Sequence, residues 1–257
     1  METINGKQLT VERHGDGEPV VMVHGLGGTS NAWGPQTDVL SQNFTVIRPD
    51  LEGSGRSPVT GPLSIAGFVA DLIALMDADG IPSAHFAGHS MGTIVCQHLA
   101  VAHPDRVRSL ALVGPLIAPP DAARGPIRGR AALARSDGMI PIADAIVQAA
   151  TSLQTKTQRP EVAAFVRELI MCQDPEGYAR SCEALADAQA ADVSVLTCPV
   201  LLLTGDEDAV APPEAVEALG AILKNAEIKI AAHCGHWTPL EQPGWVADAL
   251  ATFFTGQ

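Results

Sequence analysis

A serine flanked by glycines is the first group in this sequence whose neighbours suggest chemistry, in the segment Gly88-His89-Ser90-Met91-Gly92. Apolar residues on either side predict a short buried strand over 85–87 and an apolar helix over 93–102. The glycines permit a sharp strand-to-helix turn that exposes the serine hydroxyl, and the first amides of the helix can stabilise an oxyanion. The segment fits G-x-S-x-G, a short pattern that also arises by chance, and predicts that Ser90 is a nucleophile.

Acidic residues and a histidine follow two later strands. Asp206 and Asp208 come soon after a predicted strand over 200–203, and His236, preceded by Gly235, follows the next strand. The carboxyl ends of parallel strands meet at one edge of the sheet, where α/β proteins assemble their sites. The chain order Ser, Asp, His therefore predicts His236 as the general base, with Asp206 and Asp208 both available to orient it.

Alternating strands and helices are predicted around these residues. Continuous apolar runs predict buried strands, and helical spacing of apolar residues predicts the helices between them. The strands are predicted over 19–23, 44–47, 85–87, 107–113, 200–203 and 227–231, and the helices over 64–79, 93–102, 212–223 and 243–254. This alternation indicates an α/β fold with a mostly parallel sheet that is covered by helices on both faces.

One long stretch interrupts the alternation. It begins at Pro119-Pro120, is rich in alanine, has helical periodicity and contains no convincing strand. We therefore predict a helical cap inserted over 119–193, and a core domain composed of residues 1–118 and 194–257.

Charge and composition limit the kind of partner. A formal net charge of −13 is the opposite of the basic patch that marks a nucleic-acid-binding protein. No apolar run approaches the roughly 18 residues of a membrane span, and the N-terminus lacks the features of an export signal. We expect a cytoplasmic protein that acts on a small molecule, without nucleic acid or membrane as partner, and the sequence leaves a homo-oligomer open.

The cysteines predict no covalent or metal framework. There are five of them, an odd number, and none forms a C-x-x-C pair. This pattern favours free thiols over disulfides or a zinc site. We expect no metal and no organic cofactor.

Several motifs in order make the chain resemble the α/β-hydrolase family from about residue 19 to the C-terminus. His24-Gly25 is similar to the family's oxyanion turn, and 50–57 is similar to its D-x-x-G-x-G-x-S loop. That loop departs from the family pattern, because Glu52 and Ser54 stand where Arg and an aromatic residue or His are usual. The segments 103–107 and 241–243 match structural motifs of the family and carry no chemistry. The resemblance implies an α/β-hydrolase fold and a serine hydrolase without cofactor.

The resemblance also implies roles for individual residues. Family spacing puts the acid at the third position after Gly205, which favours Asp208 over Asp206. A serine at the nucleophile position excludes the branches of the family that use aspartate there. The implied set is the nucleophile Ser90, the orienting acid Asp208, the general base His236, and the backbone N–H groups of Leu26 and Met91 as oxyanion donors. The reaction is then hydrolysis of a carboxylic ester or lactone through an acyl-enzyme.

Three hypotheses about the function follow. The segments 174–178 and 182–185 resemble 3-oxoadipate enol-lactonases, which hydrolyse a small carboxylated lactone of aromatic catabolism. Trp33 and Trp237 suggest instead a hydrolase of carbon–carbon bonds in meta-cleavage products, although His89 stands where those enzymes usually carry Asn. The third hypothesis, a non-catalytic ligand-binding member, is disfavoured by the complete set of reactive residues. Trp33, His89 and Trp237 are predicted to line the substrate pocket.

Four arginines cluster at the start of the predicted cap: Arg124, Arg128, Arg130 and Arg135. One interpretation is a solvated helix face. The other is that one guanidinium binds the carboxylate of an enol-lactone and orients its carbonyl toward Ser90. The sequence does not distinguish among the four.

Overall fold

Nine strands are present in the computed structural model, which describes residues 1–257. They are β1 (Glu2–Ile4), β2 (Lys7–Leu9), β3 (Val11–His14), β4 (Glu18–Val23), β5 (Phe44–Pro49), β6 (Ala84–His89), β7 (Val107–Val113), β8 (Val200–Gly205) and β9 (Ala226–Ala231). Seven strands form one sheet in the order β3-β5-β4-β6-β7-β8-β9, and β1 and β2 form a separate antiparallel pair. Within the seven-stranded sheet, only β3 runs antiparallel to its neighbour. The predicted mostly parallel sheet and the α/β-hydrolase fold are confirmed.

Eleven helices accompany the sheet. They are α1 (Gly34–Leu40), α2 (Ile65–Ala78), α3 (Met91–Ala102), α4 (Asp121–Asp137), α5 (Ile140–Ala150), α6 (Leu153–Gln158), α7 (Pro160–Met171), α8 (Pro175–Asp187), α9 (Pro213–Ile222), α10 (Thr238–Glu241) and α11 (Pro243–Thr255). Short 3₁₀ segments occur at Ser30–Trp33, Pro104–Arg106 and Val193–Val195. No helix combines the length and the apolar character that crossing a membrane requires.

The sheet separates two apolar cores because successive side chains of a strand point to opposite faces. Val21 and Val23 of β4 join the larger core of 52 buried residues, together with α2, α3 and much of α4–α8. Val20 and Met22 join the smaller core of 16 residues against α1 and α11. Burial on both faces explains why the central strands are continuously apolar.

The strand before Ser90 is longer than the sequence analysis predicts. It runs over Ala84–His89 and every residue in it is buried. Gly88 and His89 read as turn residues, but they continue the pairing with β7 up to Val113. The strand therefore ends directly at Ser90.

Five helices, α4–α8, lie between β7 and β8, as the sequence analysis expects for 119–193. Gly177 in the first turn of α8 lies backbone to backbone against Gly53 in the loop after β5. A Cβ on Gly177 would be 2.3 Å from the Gly53 carbonyl oxygen. This contact explains why position 177 is glycine, whereas Gly53 has a φ of 77°, a conformation that favours glycine. The division into core and cap domains itself stays a prediction.

Replacing glycine by alanine should have opposite effects on the free energy of unfolding at Gly177 in α8, which is closely packed, and at Gly129 in α4, which is not. Gly177→Ala should lower the free energy of unfolding by about 1–3 kcal/mol, because the new methyl overlaps the Gly53 carbonyl. Gly129→Ala in α4, where a Cβ meets nothing within 4 Å, should raise it by about 1 kcal/mol through helix propensity. Urea unfolding of both variants measures this, and a stabilising Gly177→Ala would contradict the observed packing.

Candidate active site

Ser90 is held in an unusual backbone conformation at the junction of β6 and α3. Its φ of 52° and ψ of −119° lie in a region that non-glycine residues rarely adopt. A Cβ on Gly88 would be 2.6 Å from the Gly92 carbonyl oxygen, and a Cβ on Gly92 would be 2.4 Å from the Val23 carbonyl oxygen. Close backbone approach therefore requires both glycines of the G-x-S-x-G segment. The turn leaves the Ser90 side chain partly exposed.

Three side chains from separate loops form a continuous hydrogen-bonded chain. The distance between His236 Nε2 and Ser90 Oγ is 2.8 Å, and that between His236 Nδ1 and Asp208 Oδ2 is also 2.8 Å. Asp208 follows β8 and His236 follows β9, so the sheet edge brings together the residues that the sequence analysis predicts. Asp208 and His236 are buried, with 2% and 6% of their surface exposed.

The carboxylate of Asp208 is ionised in this site. Burial alone would raise its pKa, but the charge and hydrogen bond of His236 and the N–H groups of Ala211 and Val210 outweigh burial, lowering the pKa to about 2. Both amides donate to Oδ1 at 2.8 Å, and the Thr204 hydroxyl lies 3.2 Å from Oδ2. An ionised carboxylate only accepts hydrogen bonds, so Nδ1 of His236 carries the proton. Nε2 is then free to accept the proton of the Ser90 hydroxyl.

Asp206, the other acidic residue after β8, contacts the backbone instead of the imidazole. Its Oδ1 accepts the backbone N–H of Cys234 at 3.1 Å, and it makes no contact with His236. Asp206 thus braces the loop that leads to His236. Of the two carboxylates that the sequence leaves available, Asp208 is the one that meets the imidazole.

Two backbone amides near Ser90 in sequence or in packing, those of Met91 and Leu26, have no acceptor in the protein. The turn at Gly25 packs against the serine, since a Cβ on Gly25 would be 2.8 Å from Ser90 Cβ. His24 shapes this turn: its Nε2 accepts the Leu51 N–H at 3.0 Å, so its Nδ1 donates to the Gly25 carbonyl at 2.8 Å. No protein group accepts from Leu26 N–H, and Met91 N–H belongs to the first turn of α3, where a helix offers no acceptor.

Trp33, His89 and Trp237 do not line an open pocket in this structure. Trp33 has no exposed surface and packs in the smaller core, so the expectation that it contacts substrate is corrected. His89 is 1% exposed, and its ring lies 5.1 Å from that of His236 and 5.4 Å from that of Trp237 between centroids. Trp237 is 3% exposed. In this structure Trp33 and Trp237 pack near His89, which in turn packs against His236.

His89 supports the loop of His236 through the backbone. Burial lowers the pKa of His89 to about 3, so the imidazole is neutral. Its Nε2 lies 2.8 Å from the carbonyl oxygen of His236, which can only accept, so Nε2 carries the proton and donates. His89 thus contacts the predicted base from inside the protein rather than from a substrate cavity.

Three of the four cap arginines fasten α4 to α8. Arg124 donates to the Ala186 carbonyl, Arg128 pairs with Asp187, and Arg135 pairs with carboxylates of α8. The guanidinium groups of these three arginines are occupied by protein partners, which corrects the expectation that Arg124, Arg128 or Arg135 could bind a substrate near Ser90.

Arg130 differs from the other three. It is half-buried and makes no ion pair or hydrogen bond. Its positive charge acts on the hydroxyl of Tyr178 in α8, while burial is the larger influence and raises the pKa of that hydroxyl. The Tyr178 ring lies against the oxyanion turn, because a Cβ on Gly27 would be 3.3 Å from its Cε2. The Tyr178 hydroxyl itself has no hydrogen-bond partner.

Sequence reasoning missed two polar groups near the site. Thr204 contacts Asp208 from within β8, and the buried carboxylate of Glu241 contacts the backbone beside His236. The 241–243 motif marks Glu241 as structural, but no local sequence signal indicates which residues its carboxylate contacts. No group of three or more His, Cys, Asp or Glu side chains is arranged to hold a metal ion.

The fold and site define a class, and comparison with known proteins agrees with it. Residues 20–249 match the family described as Alpha/beta hydrolase family. The chain therefore belongs to the α/β-hydrolase family, as its sequence motifs imply.

Several proteins that are similar along almost the entire chain are named as hydrolases. RutD of a Caulobacter species, whose name assigns it carbamate hydrolysis, is 30% identical over 99% of this chain and 98% of its own. A 2-hydroxymuconate semialdehyde hydrolase of Pseudomonas putida is 29% identical over 96% and 91%. An esterase from Thermogutta terrifontis has a TM-score of 0.95 at 30% identity, covering 99% and 97%. An enol-lactonase from Burkholderia xenovorans has a TM-score of 0.93 at 29% identity, covering 99% of both chains.

The low pKa of Asp208 predicts an acid-dependent loss of stability. Its folded value of about 2 is below the ordinary unfolded value of about 3.9, so the folded state favours the ionised form. The contribution, about 2–3 kcal/mol, is complete at pH 7, roughly half lost near pH 3 and almost entirely lost below pH 2. The stability difference between the unmodified protein and Asp208→Asn should therefore shrink from pH 7 to pH 3 in urea unfolding. Asp206→Asn is the matched control, and an equal pH dependence in both variants would contradict the prediction.

Proposed function

We propose that this α/β-hydrolase is a serine hydrolase that cleaves a small carboxylic ester or lactone through an acyl-enzyme on Ser90. The observation that carries the proposal is the chain from Asp208 through His236 to Ser90, with 2.8 Å at each step. The amides of Leu26 and Met91 beside the serine supply the second requirement, which is an oxyanion site.

In the first half-reaction, Ser90 Oγ attacks the substrate carbonyl while its proton moves to His236 Nε2. The carbonyl oxygen takes the electron pair and becomes an oxyanion, which the N–H groups of Leu26 and Met91 hold. Asp208 stabilises the imidazolium that forms, because it stays ionised beside Nδ1. The tetrahedral intermediate then collapses, and the Nε2 proton passes to the leaving oxygen. In a lactone that oxygen remains attached to the acyl chain.

The second half-reaction uses the same groups, with water as the nucleophile and Ser90 as the leaving group. His236 Nε2 removes a proton from water, and the hydroxide attacks the acyl carbon on Ser90. The same two amides hold the second oxyanion. Collapse returns the proton to Ser90 Oγ and releases the carboxylic acid. Each preorganised donor contributes about 2.7–4 kcal/mol to barrier lowering in related chemistry.

The substrate that we propose is a small carboxylated lactone, as for a 3-oxoadipate enol-lactonase of aromatic catabolism. The resemblance to an enol-lactonase over the entire chain supports this proposal. Arg130, the one arginine of the four without an ion-pair or hydrogen-bond partner, is the group that we propose to bind the carboxylate of this lactone. The second candidate is a carbon–carbon hydrolase, favoured by the 29% identity to 2-hydroxymuconate semialdehyde hydrolase. A higher kcat/KM for a meta-cleavage product than for the enol-lactone would select that candidate.

A covalent probe tests the nucleophile. A fluorophosphonate should add once to the unmodified protein, and peptide mapping should find the adduct on Ser90, because only an activated serine attacks phosphorus rapidly. Ser90→Ala should acquire no adduct and lose nearly all esterase activity toward p-nitrophenyl acetate, at unchanged thermal stability within about 1 kcal/mol. Absence of an adduct on the unmodified protein would refute the proposed function.

Arg130 provides a test of the substrate class. Arg130→Ala should lower kcat/KM for 3-oxoadipate enol-lactone about 10- to 100-fold, the range expected for losing a hydrogen bond between charged groups. Activity toward the neutral p-nitrophenyl acetate should stay within about twofold, since that substrate has no carboxylate to bind. Arg128→Ala, which breaks only the pair with Asp187, is the matched control. Equal effects of Arg130→Ala on both substrates would remove the carboxylate-binding role.

A further inference from the structure

Glu241 is a buried carboxylate outside the Ser90, His236 and Asp208 chain. It lies at the end of α10 and only 1% of its surface is exposed. Its Oε2 accepts the Ser152 N–H at 2.7 Å and the Thr155 hydroxyl at 2.8 Å. Its Oε1 accepts the Trp237 N–H at 3.2 Å. One carboxylate therefore joins the α5–α6 junction of the cap to the residue that follows His236.

Other bonds reinforce the same connection. The His236 N–H donates to the carbonyl of Ala150, the last residue of α5, at 2.9 Å. Arg159, at the start of α7, donates to the backbone carbonyl of Glu241 at 2.7 Å. The backbone amide of His236 thus donates to the cap backbone, and that of Trp237 donates to the Glu241 carboxylate, which the cap also binds.

Gly235 shows how closely these parts approach. A Cβ at this position would lie 2.7 Å from the Ser152 nitrogen, 2.8 Å from the Ala150 carbonyl oxygen and 2.8 Å from Glu241 Oε1. The glycine before the histidine is therefore required by the packing of the cap junction and Glu241. This contact gives the Gly235-His236 pair a physical reason that the sequence pattern does not contain.

We propose that Glu241 is a positioning residue, which holds His236 in line with Ser90 by fixing its loop to the α5–α6 junction. The inference rests on the proposed serine-hydrolase function, because it assigns His236 the role of base. A carboxylate suits the task, since its two oxygens accept all three donors without offering a donor of its own. Glutamine has the same shape but turns an NH₂ group toward at least one of those donors.

The test compares Glu241→Gln with a milder change and a remote control. Glu241→Gln should lower kcat for p-nitrophenyl acetate about 10-fold or more, with KM changed less than about twofold, because small displacements of a catalytic group are costly. Thr155→Val removes one cap hydrogen bond to Glu241 without contacting His236 and should lower kcat about threefold. The rate of fluorophosphonate addition to Ser90 should fall by the same factors. All rates are measured where each variant is fully folded.

Asp71→Asn is the matched control for loss of a buried carboxylate. Asp71 is 3% exposed and binds Asn5 and Lys7 in the N-terminal region. This variant should lose thermal stability but keep kcat and the rate of probe addition.

The outcomes separate the two proposals. If the unmodified protein adds the probe and both Glu241→Gln and Thr155→Val react at its rate, the positioning role is overturned while the proposed function stands. If Glu241→Gln does not fold, full kcat in Thr155→Val overturns the positioning role. If the unmodified protein acquires no adduct, the proposed function fails and this inference fails with it.

Discussion

The backbone at Ser90 is the constraint on which the rest of the structure depends. A positive φ at a non-glycine residue costs about 1–3 kcal/mol and persists only where the surroundings enforce it. Here the enforcement comes from β6, which is buried along its entire length, and from α3, whose first turn lies against β4. The glycines at 88 and 92 let these backbones meet, and the same contact presents the hydroxyl at the edge of the sheet. The packing that enforces the strained backbone is therefore also what positions the hydroxyl for the proposed reaction.

The groups around Ser90 are organised by hydrogen bonds to the backbone. Asp208 accepts two loop amides, and His89 holds the carbonyl of His236 from the core side. Glu241 holds the next amide from the cap side. The His236 loop is thus restrained from two directions by side chains that do not face the substrate. In the proposed reaction, such restraint would limit the reorganisation that the groups around Ser90 require.

Helices α4–α8 contact the groups around Ser90 as well as packing on one another. Its outer helices are fastened by surface ion pairs of Arg128 and Arg135, which individually contribute little to stability. Its inner surface brings Tyr178 to the oxyanion turn and the Ser152 backbone to Glu241. The insertion is therefore bound to both sides of the reactive centre. If the proposed function holds, a change in α4–α8 would affect the chemistry without altering Ser90, His236 or Asp208.

The sequence by itself determined the alternation of strands and helices and the candidates Ser90, His236 and two acidic residues, because apolar periodicity and glycine sterics act over a few residues. The α/β-hydrolase fold followed from the resemblance of its motifs to the family, and the order of the strands in the sheet came only from the structure. Family spacing was needed to prefer Asp208, and the structure brings that carboxylate to the imidazole. Only the tertiary structure decided that Trp33 lies in the core, that Arg130 alone among the cap arginines has no partner, and that Glu241 joins the cap to the histidine loop. These facts depend on which distant residues each side chain meets. Contacts across 80 or more positions, such as Glu241 with Ser152 and Thr155, leave no local pattern in the sequence.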